Sequence, residues 1–354
     1  MRQSRITTIL LYCFFSLLVG SRSSIFAQQP PQANEKEQGI ELYRKGAFSE
    51  AVKALKEAVK KQQSDSDAWY YLGLSLHRTG EIKDARKAIE KAISLKPDFA
   101  PSYTAMAYMQ LLDNDNKGAV KNAEKALALD PKNYESLYIA GVVCLRENAA
   151  AEALARAEEA LKIKPDYPRA LLLKTEALMG MFVQERDKWN KSLDQRERNK
   201  LSSEAGGLVE RPPYYSLLKP ASESLEAYLK LTQERSEQTS LSERLEAIRF
   251  YVRWAEGSEK SVAPMTRALR PTIHYREAAP YTEAARDAGI RGIVVLMAVF
   301  AYDATIKHIM AIQGLSHGLT EEAIAAARKI KFTPAMGDGK PISVTGALEF
   351  TFNP

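Results

Sequence analysis

The chain has 354 residues, room for about two domains at ~150 residues each, and its 45% hydrophobic and 27% charged content excludes a wholly disordered polymer. Fifty Lys and Arg against 44 Asp and Glu give a formal charge of +6. Three of those cations, Arg2, Arg5 and Arg22, lie in a leader without a single acid, so the basic balance gives no reason to expect nucleic acid as a partner.

Residues 1–27 read as a secretory signal: a basic start, an apolar run from Ile6 to Gly20, and a polar segment ending at Ala27. The run is shorter than the ~20 residues that cross a bilayer comfortably, so cleavage is expected over retention as an inner-membrane anchor. The expected location is the periplasm or cell envelope. Cys13 lies in the leader and Cys144 far downstream, so the processed chain has no pair for an internal disulfide.

From residue 32 the sequence repeats with a step of 34. Ala51, Ala85, Ala119 and Ala153 keep this step, as do Ala58, Ala92, Ala126 and Ala160, and Pro97, Pro131 and Pro165. Gly39, Gly73, Ala107 and Gly141 form a column of small residues that lets two antiparallel helices approach. Gly46, Gly80, Asn114 and Asn148 form a second column, of residues that tolerate the left-handed backbone ending a helix. The unit is a helical hairpin. Trp69-Tyr70-Tyr71-Leu72-Gly73 followed by Ala85, Ala92 and Pro97 resembles the tetratricopeptide repeat (TPR). Four repeats start near 32, 66, 100 and 134, and Pro168 to Phe182 reads as a closing helix, so residues 32–182 form one solenoid.

The resemblance implies a scaffold that holds a peptide or protein on its concave face. Repeat positions 5, 9, 12 and 13 supply the candidate partner-binding residues Tyr43, Arg44, Tyr70, Leu74, His77, Arg78, Tyr108, Tyr138, Val142 and Arg146. Rings beside guanidinium groups suit an extended peptide bearing carboxylates. Arg44, Arg78 and Arg146 also fall in the last turn of a helix, where a cation offsets the negative end of the dipole. Cys144 occupies the repeat position of Leu42 and Leu76 and is expected to pack as a small apolar side chain.

Residues 183–219 are dense in charge and read as a linker or a solvated helix. Residues 220–257 return to a helical period through Leu225, Leu229, Leu241, Leu245, Ile248 and Val252, and predict a helical pair.

After Pro271 the pattern changes. A short helix (Thr282 to Asp287) precedes a hairpin of strands, Gly292–Tyr302 and Ile306–Ile312, turning on Asp303-Ala304. An amphipathic helix follows from Leu319 to Ile330, with Thr320 as its expected cap, and then a third strand from Ile342 to Phe352. Pro280-Tyr281-Thr282, Gly289, Gly292, Gly314-Leu315, Gly318-Leu319 and Lys331-Phe332-Thr333-Pro334-Ala335, followed by Asp338-Gly339-Lys340-Pro341, resemble the C-terminal domain of TonB-type energy transducers over about residues 275–354, within a domain expected at 271–354. The fold expected overall is mainly α: a TPR solenoid followed by a small α+β domain with a three-stranded antiparallel sheet.

That resemblance implies pairing of a sheet edge with a segment of an outer-membrane TonB-dependent receptor. Carried over by position, the presented edge is the last strand, with Val344, Leu348, Phe350 and Phe352; read from the residues alone, the same apolar side chains are sheet core. The first strand is apolar on both faces, which predicts either a homodimer through this domain or docking on the middle helices. Four scattered histidines and no phosphate loop support neither metal, cofactor nor catalysis, and Ser316-His317 reads as a polar turn. The function expected is a non-enzymatic envelope adaptor; the alternative is a transducer coupling an inner-membrane motor to outer-membrane receptors.

Overall fold

A computed structural model describes residues 34–192, 212–232, 235–265 and 269–353. The leader and residues 193–211 of the charged segment lie outside the described residues. Four helical hairpins open the fold: α1 (Glu35–Arg44) with α2 (Phe48–Lys61), α3 (Ser66–Thr79) with α4 (Ile82–Leu95), α5 (Ala100–Leu112) with α6 (Asn116–Leu129), and α7 (Tyr134–Arg146) with α8 (Ala150–Ile163). Side-chain caps start several of them; Asn34 Oδ1 accepts from the amides of Lys36 and Glu37, and Asp65 from Ala68. The column at 46, 80, 114 and 148 takes positive φ at every member, between 59° and 87°. At Gly73 a Cβ would stand 2.6 Å from Ile89 Cδ1, so the hairpin closes only without one. The alanine columns lie between the helices, with Ala51, Ala85, Ala119 and Ala153 all at 0% exposure.

The closing helix α9 (Pro168–Ser192) runs ten residues past Phe182, carrying the chain through the first part of the charged segment. Val183 supplies it an apolar contact, and Lys188–Glu185 forms an i,i+3 ion pair on its surface. It does not end the molecule. A 3-10 turn (Pro213–Leu217), α10 (Leu218–Leu231) and α11 (Arg235–Ala255) pack on it.

The C-terminal part contains β1 (Val262–Pro264), β2 (Thr272–Tyr275), α12 (Glu283–Asp287), β3 (Gly292–Phe300), β4 (Ile306–Gln313), α13 (Leu319–Arg328), β5 (Lys331–Thr333), β6 (Ala335–Gly337) and β7 (Lys340–Phe352). The three expected antiparallel strands are β4, β3 and β7, and β1 and β6 extend the sheet beyond β7, in the order β1-β7-β3-β4 with β6 paired to β7; β2 and β5 pair separately. The β3–β4 turn is longer than the two residues expected. Ala301 N–H donates to Thr305 C=O at 2.9 Å around Tyr302-Asp303-Ala304, with Ala304 at φ 60°. Thr320 is not the cap of α13. Gly318 occupies that position at φ 83°, while Thr320 Oγ1 lies 2.8 Å from both Leu315 N and Leu315 O and ties the preceding turn.

Two cores meet at the sheet. Val294, Leu296, Ala298 and Phe300 face α13 with Val344, Leu348, Phe350 and Phe352. The other face, Val299 with Met310 and Ile312, packs on Phe182, Leu218, Leu225, Ile248, Tyr251 and Trp254 of α9, α10 and α11. Of the two outcomes open for this face, docking on the middle helices is the one realised; the covering that a homodimer would have supplied comes from the chain's own helices. Trp254 Nε1 donates to the Val262 carbonyl at 2.9 Å, fastening β1 to the same joint. Among the described residues no helix is long and apolar enough to cross a membrane.

Candidate functional site

The candidate groove residues of the repeats include half-buried rings that make edge contacts with their neighbours. Tyr43 meets Tyr71 at 5.6 Å, Tyr70 meets Tyr71 at 5.2 Å and Phe99 at 5.3 Å, His77 meets Tyr108 at 5.8 Å, and Tyr138 meets Tyr167 at 5.8 Å. Leu74 and Val142 pack beside them, partly buried. Burial pushes the Tyr70 and Tyr167 phenols well up, with the Glu135 carboxylate adding in the same direction and Arg169 opposing it at Tyr167. Burial, then Arg78, holds the His77 imidazole below its ordinary value. At neutral pH these rings are therefore uncharged donors and acceptors.

The three arginines of position 13 divide. Arg146 Nη1 donates to the Leu111 carbonyl and to Asn116 Oδ1, each at 3.0 Å, and the Arg78 guanidinium lies 4.3 Å from the Phe48 ring centroid. Asn116 and Phe48 occupy the same position of the preceding repeat, so both arginines fasten one repeat to the last. All three residues, Arg44, Arg78 and Arg146, are exposed.

The cation over the groove is one that register reasoning missed. Arg169, in the first turn of α9, stands 5.2 Å from the Tyr108 centroid and 6.0 Å from that of Tyr138, with Nη2 3.4 Å from the Tyr108 hydroxyl. Pro165 continues the 34-residue step and sets Arg169 in register with Glu135, at position 2 of a fifth unit, so positions 5, 9, 12 and 13 do not reach it. A neutral aromatic wall with the exposed Arg169 guanidinium over it can hold an extended chain and pair with a carboxylate on it.

The last strand needs a correction. Val344, Leu348, Phe350 and Phe352 are between 0% and 4% exposed and form sheet core, so their side chains present nothing to a partner. The outer side of β7 is also partly filled by the chain itself. β1 pairs with residues 343–345 in parallel, β6 pairs with residues 340–342, Met265 N–H donates to Thr345 C=O at 3.0 Å, and the Arg276 guanidinium donates to Glu349 C=O. Ser316 and His317 do meet, Oγ to Nδ1 at 2.8 Å, in the turn before α13. Among the described residues no group of three His, Cys, Asp or Glu side chains could hold a metal ion.

A family model of the tetratricopeptide repeat matches residues 36–100 and 105–168, and the Gram-negative bacterial TonB protein C-terminal matches residues 277–354; neither is a catalytic family. No curated protein matches the chain in sequence. Among solved structures it is similar to MamA (20% identity, 56% of this chain and 94% of that one, TM-score 0.41). It is also similar to the type IV pilus biogenesis factor PilW (15%, 63% and 88%, TM-score 0.47) and to PilF of Pseudomonas aeruginosa (17%, 63% and 86%, TM-score 0.46). By its repeats and its last domain, the chain is a tetratricopeptide repeat protein with a C-terminal domain of the TonB family.

Proposed function

We propose that this protein is a non-enzymatic adaptor of the cell envelope that holds an extended, acidic segment of a partner protein in the groove of its repeats. The observation that carries this reading is the exposed guanidinium of Arg169 over Tyr108 and Tyr138, beside the neutral ring of His77. Burying aromatic area fixes the segment at low entropic cost, and a bidentate arginine sets where its carboxylate lies. The TonB-family domain and the signal-like leader support an envelope location, with an outer-membrane TonB-dependent receptor as the class of partner for the C-terminal end. The shared core of α9, α10, α11 and the sheet holds the two ends in one body.

Crosslinking in intact cells from a photoreactive residue at position 108 tests the groove. The expected result is an adduct whose partner peptide carries Asp or Glu within about two residues of the crosslink, lost when Arg169→Glu reverses the charge. No adduct, or one indifferent to that reversal, overturns the reading.

A further inference from the structure

Arg169 is one charge at the groove, and its counterpart one unit earlier is an acid. Glu135 is the second residue of α7, as Arg169 is of α9, 34 positions on. Glu135, Tyr138 and Val142 follow the i, i+3, i+7 spacing of a single helix face, and Tyr138 is one of the two rings over which the Arg169 guanidinium stands. Glu135 therefore lies on the ring-bearing face of α7. It is exposed, and its carboxylate has no hydrogen bond or ion pair among the described residues.

The two charges serve different rings. Arg169 stands over Tyr108 and Tyr138. Glu135 acts on rings of the first two hairpins: burial raises the phenols of Tyr43 and Tyr70, and the Glu135 carboxylate adds to both. Leu173 of α9 fills the space where a Cβ on Gly141 of α7 would stand, so the two helices are in contact. Axes of packed helices lie roughly 8–10 Å apart, which is about three residues of extended chain at ~3.3 Å each. At that separation, about one Debye length in physiological salt, a segment carrying only an acid at Arg169 would still feel repulsion from Glu135. A basic side chain on the same segment removes that repulsion, and its head gains the π-faces of the neighbouring tyrosines as well as the carboxylate.

We propose that the groove selects a segment of mixed charge, with a Lys or Arg against Glu135 beside Tyr70 and a carboxylate about three residues away against Arg169, and that the order of the two fixes the direction in which the segment runs. This rests on the adaptor reading for the place of the acid; the basic residue, the spacing and the direction go beyond it. Two opposite charges at fixed points admit one orientation and penalise the reverse, in which each partner charge meets its like.

Panning a displayed library of random dodecapeptides against the full chain tests this. Expected are peptides that carry a base and an acid at one constant spacing and in one constant order, and that lose about tenfold in affinity or more in Glu135→Gln. Glu135→Lys combined with Arg169→Glu should select the opposite order at the same spacing. Glu135 also offsets the dipole in the first turn of α7, so the urea midpoint of Glu135→Gln is measured beside its affinity. A shifted midpoint with unchanged affinity assigns the residue to the helix alone and overturns the proposal. Peptides that share an acid without a base and are sensitive to Arg169→Glu but not to Glu135→Gln also overturn it, and leave the adaptor reading standing. No enrichment, or peptides indifferent to Arg169→Glu, overturns both. The same order selected by the double reversal refutes the directional role.

Discussion

Tyr251 is fully buried among Ile248, Leu225 and Trp254, and its hydroxyl has no hydrogen-bond partner among the described residues. Burial pushes its phenol far above the ordinary value, so the group stays neutral, but a neutral orphan still loses its water. Leaving a buried donor unsatisfied costs ~1–3 kcal/mol. Tyr251→Phe removes that cost and leaves a void the size of one oxygen, on the order of 10–15 Å³, worth ~0.3 kcal/mol at ~24 cal/mol per Å³. The expected net is stabilisation by ~1–2 kcal/mol. Urea unfolding followed by tryptophan fluorescence reads it, because Trp254 lies in the same cluster. Tyr251→Ala is the opposing control and should destabilise by ~3–5 kcal/mol. If Tyr251→Phe instead destabilises by ~1 kcal/mol or more, the hydroxyl has a partner, and the account of this core as an apolar joint is wrong.

Arg146→Ala removes both hydrogen bonds to the preceding repeat and should lower stability by ~1 kcal/mol, whereas Arg44→Ala, which has no preceding repeat to fasten, should stay within ~0.5 kcal/mol; a urea midpoint for each decides it. Burial, then a neighbouring arginine, lowers the imidazole pKa of both His77 and His308; at His308, Lys307 acts the same way against the opposing carboxylates of Glu259 and Glu246. The unfolded chain titrates near ~6.5 and binds more protons than the folded one below that pH, so stability should be level above pH ~7 and fall from pH ~6.5 downward. His77→Gln with His308→Gln should flatten urea midpoints measured between about pH 7.5 and 5.5; an unchanged slope refutes the assignment.

What was legible in the sequence follows from the range of each signal. Repeat columns are local and recur four times, so Ala85 or Gly80 could be assigned a physical cause from the chain alone, and the helices end two residues before Pro97, Pro131 and Pro165 as the step requires. The apolar alternation of Ile293 to Phe300 likewise showed that both faces of β3 needed cover. β1 left no such mark. It is three residues long, includes Pro264, and pairs in parallel with a strand some 80 residues later, so its pairing depends on tertiary packing rather than on pattern. Val344, Leu348, Phe350 and Phe352 have the period of an edge or of a core strand alike; their apolar character points to core, and the position of α13 decides it. Arg169 left no such signal, because in a fifth unit starting at 168 it holds position 2, outside the positions 5, 9, 12 and 13 that point into the groove.

The middle helices answer a problem set by β3. A strand apolar on both faces cannot leave one of them in water, and a domain of about 80 residues has one layer of helix to offer, α13 on one side. The second cover is borrowed from α10 and α11, which in turn close the exposed flank of α9. One set of side chains thus ends the repeat array and completes the sheet, and the Trp254 to Val262 bond ties in the strand that lies on β7. A single core has a mechanical consequence that a flexible linker would not. The groove and the C-terminal domain adjoin one core, so a partner spanning both gains effective concentration only when its own two segments match that span. A ligand at one end alters affinity at the other only by disturbing this core. Loosening the joint, as Tyr251→Ala does, should therefore weaken a two-site partner more than either isolated peptide, and equal loss for all three would mean that the sites act alone.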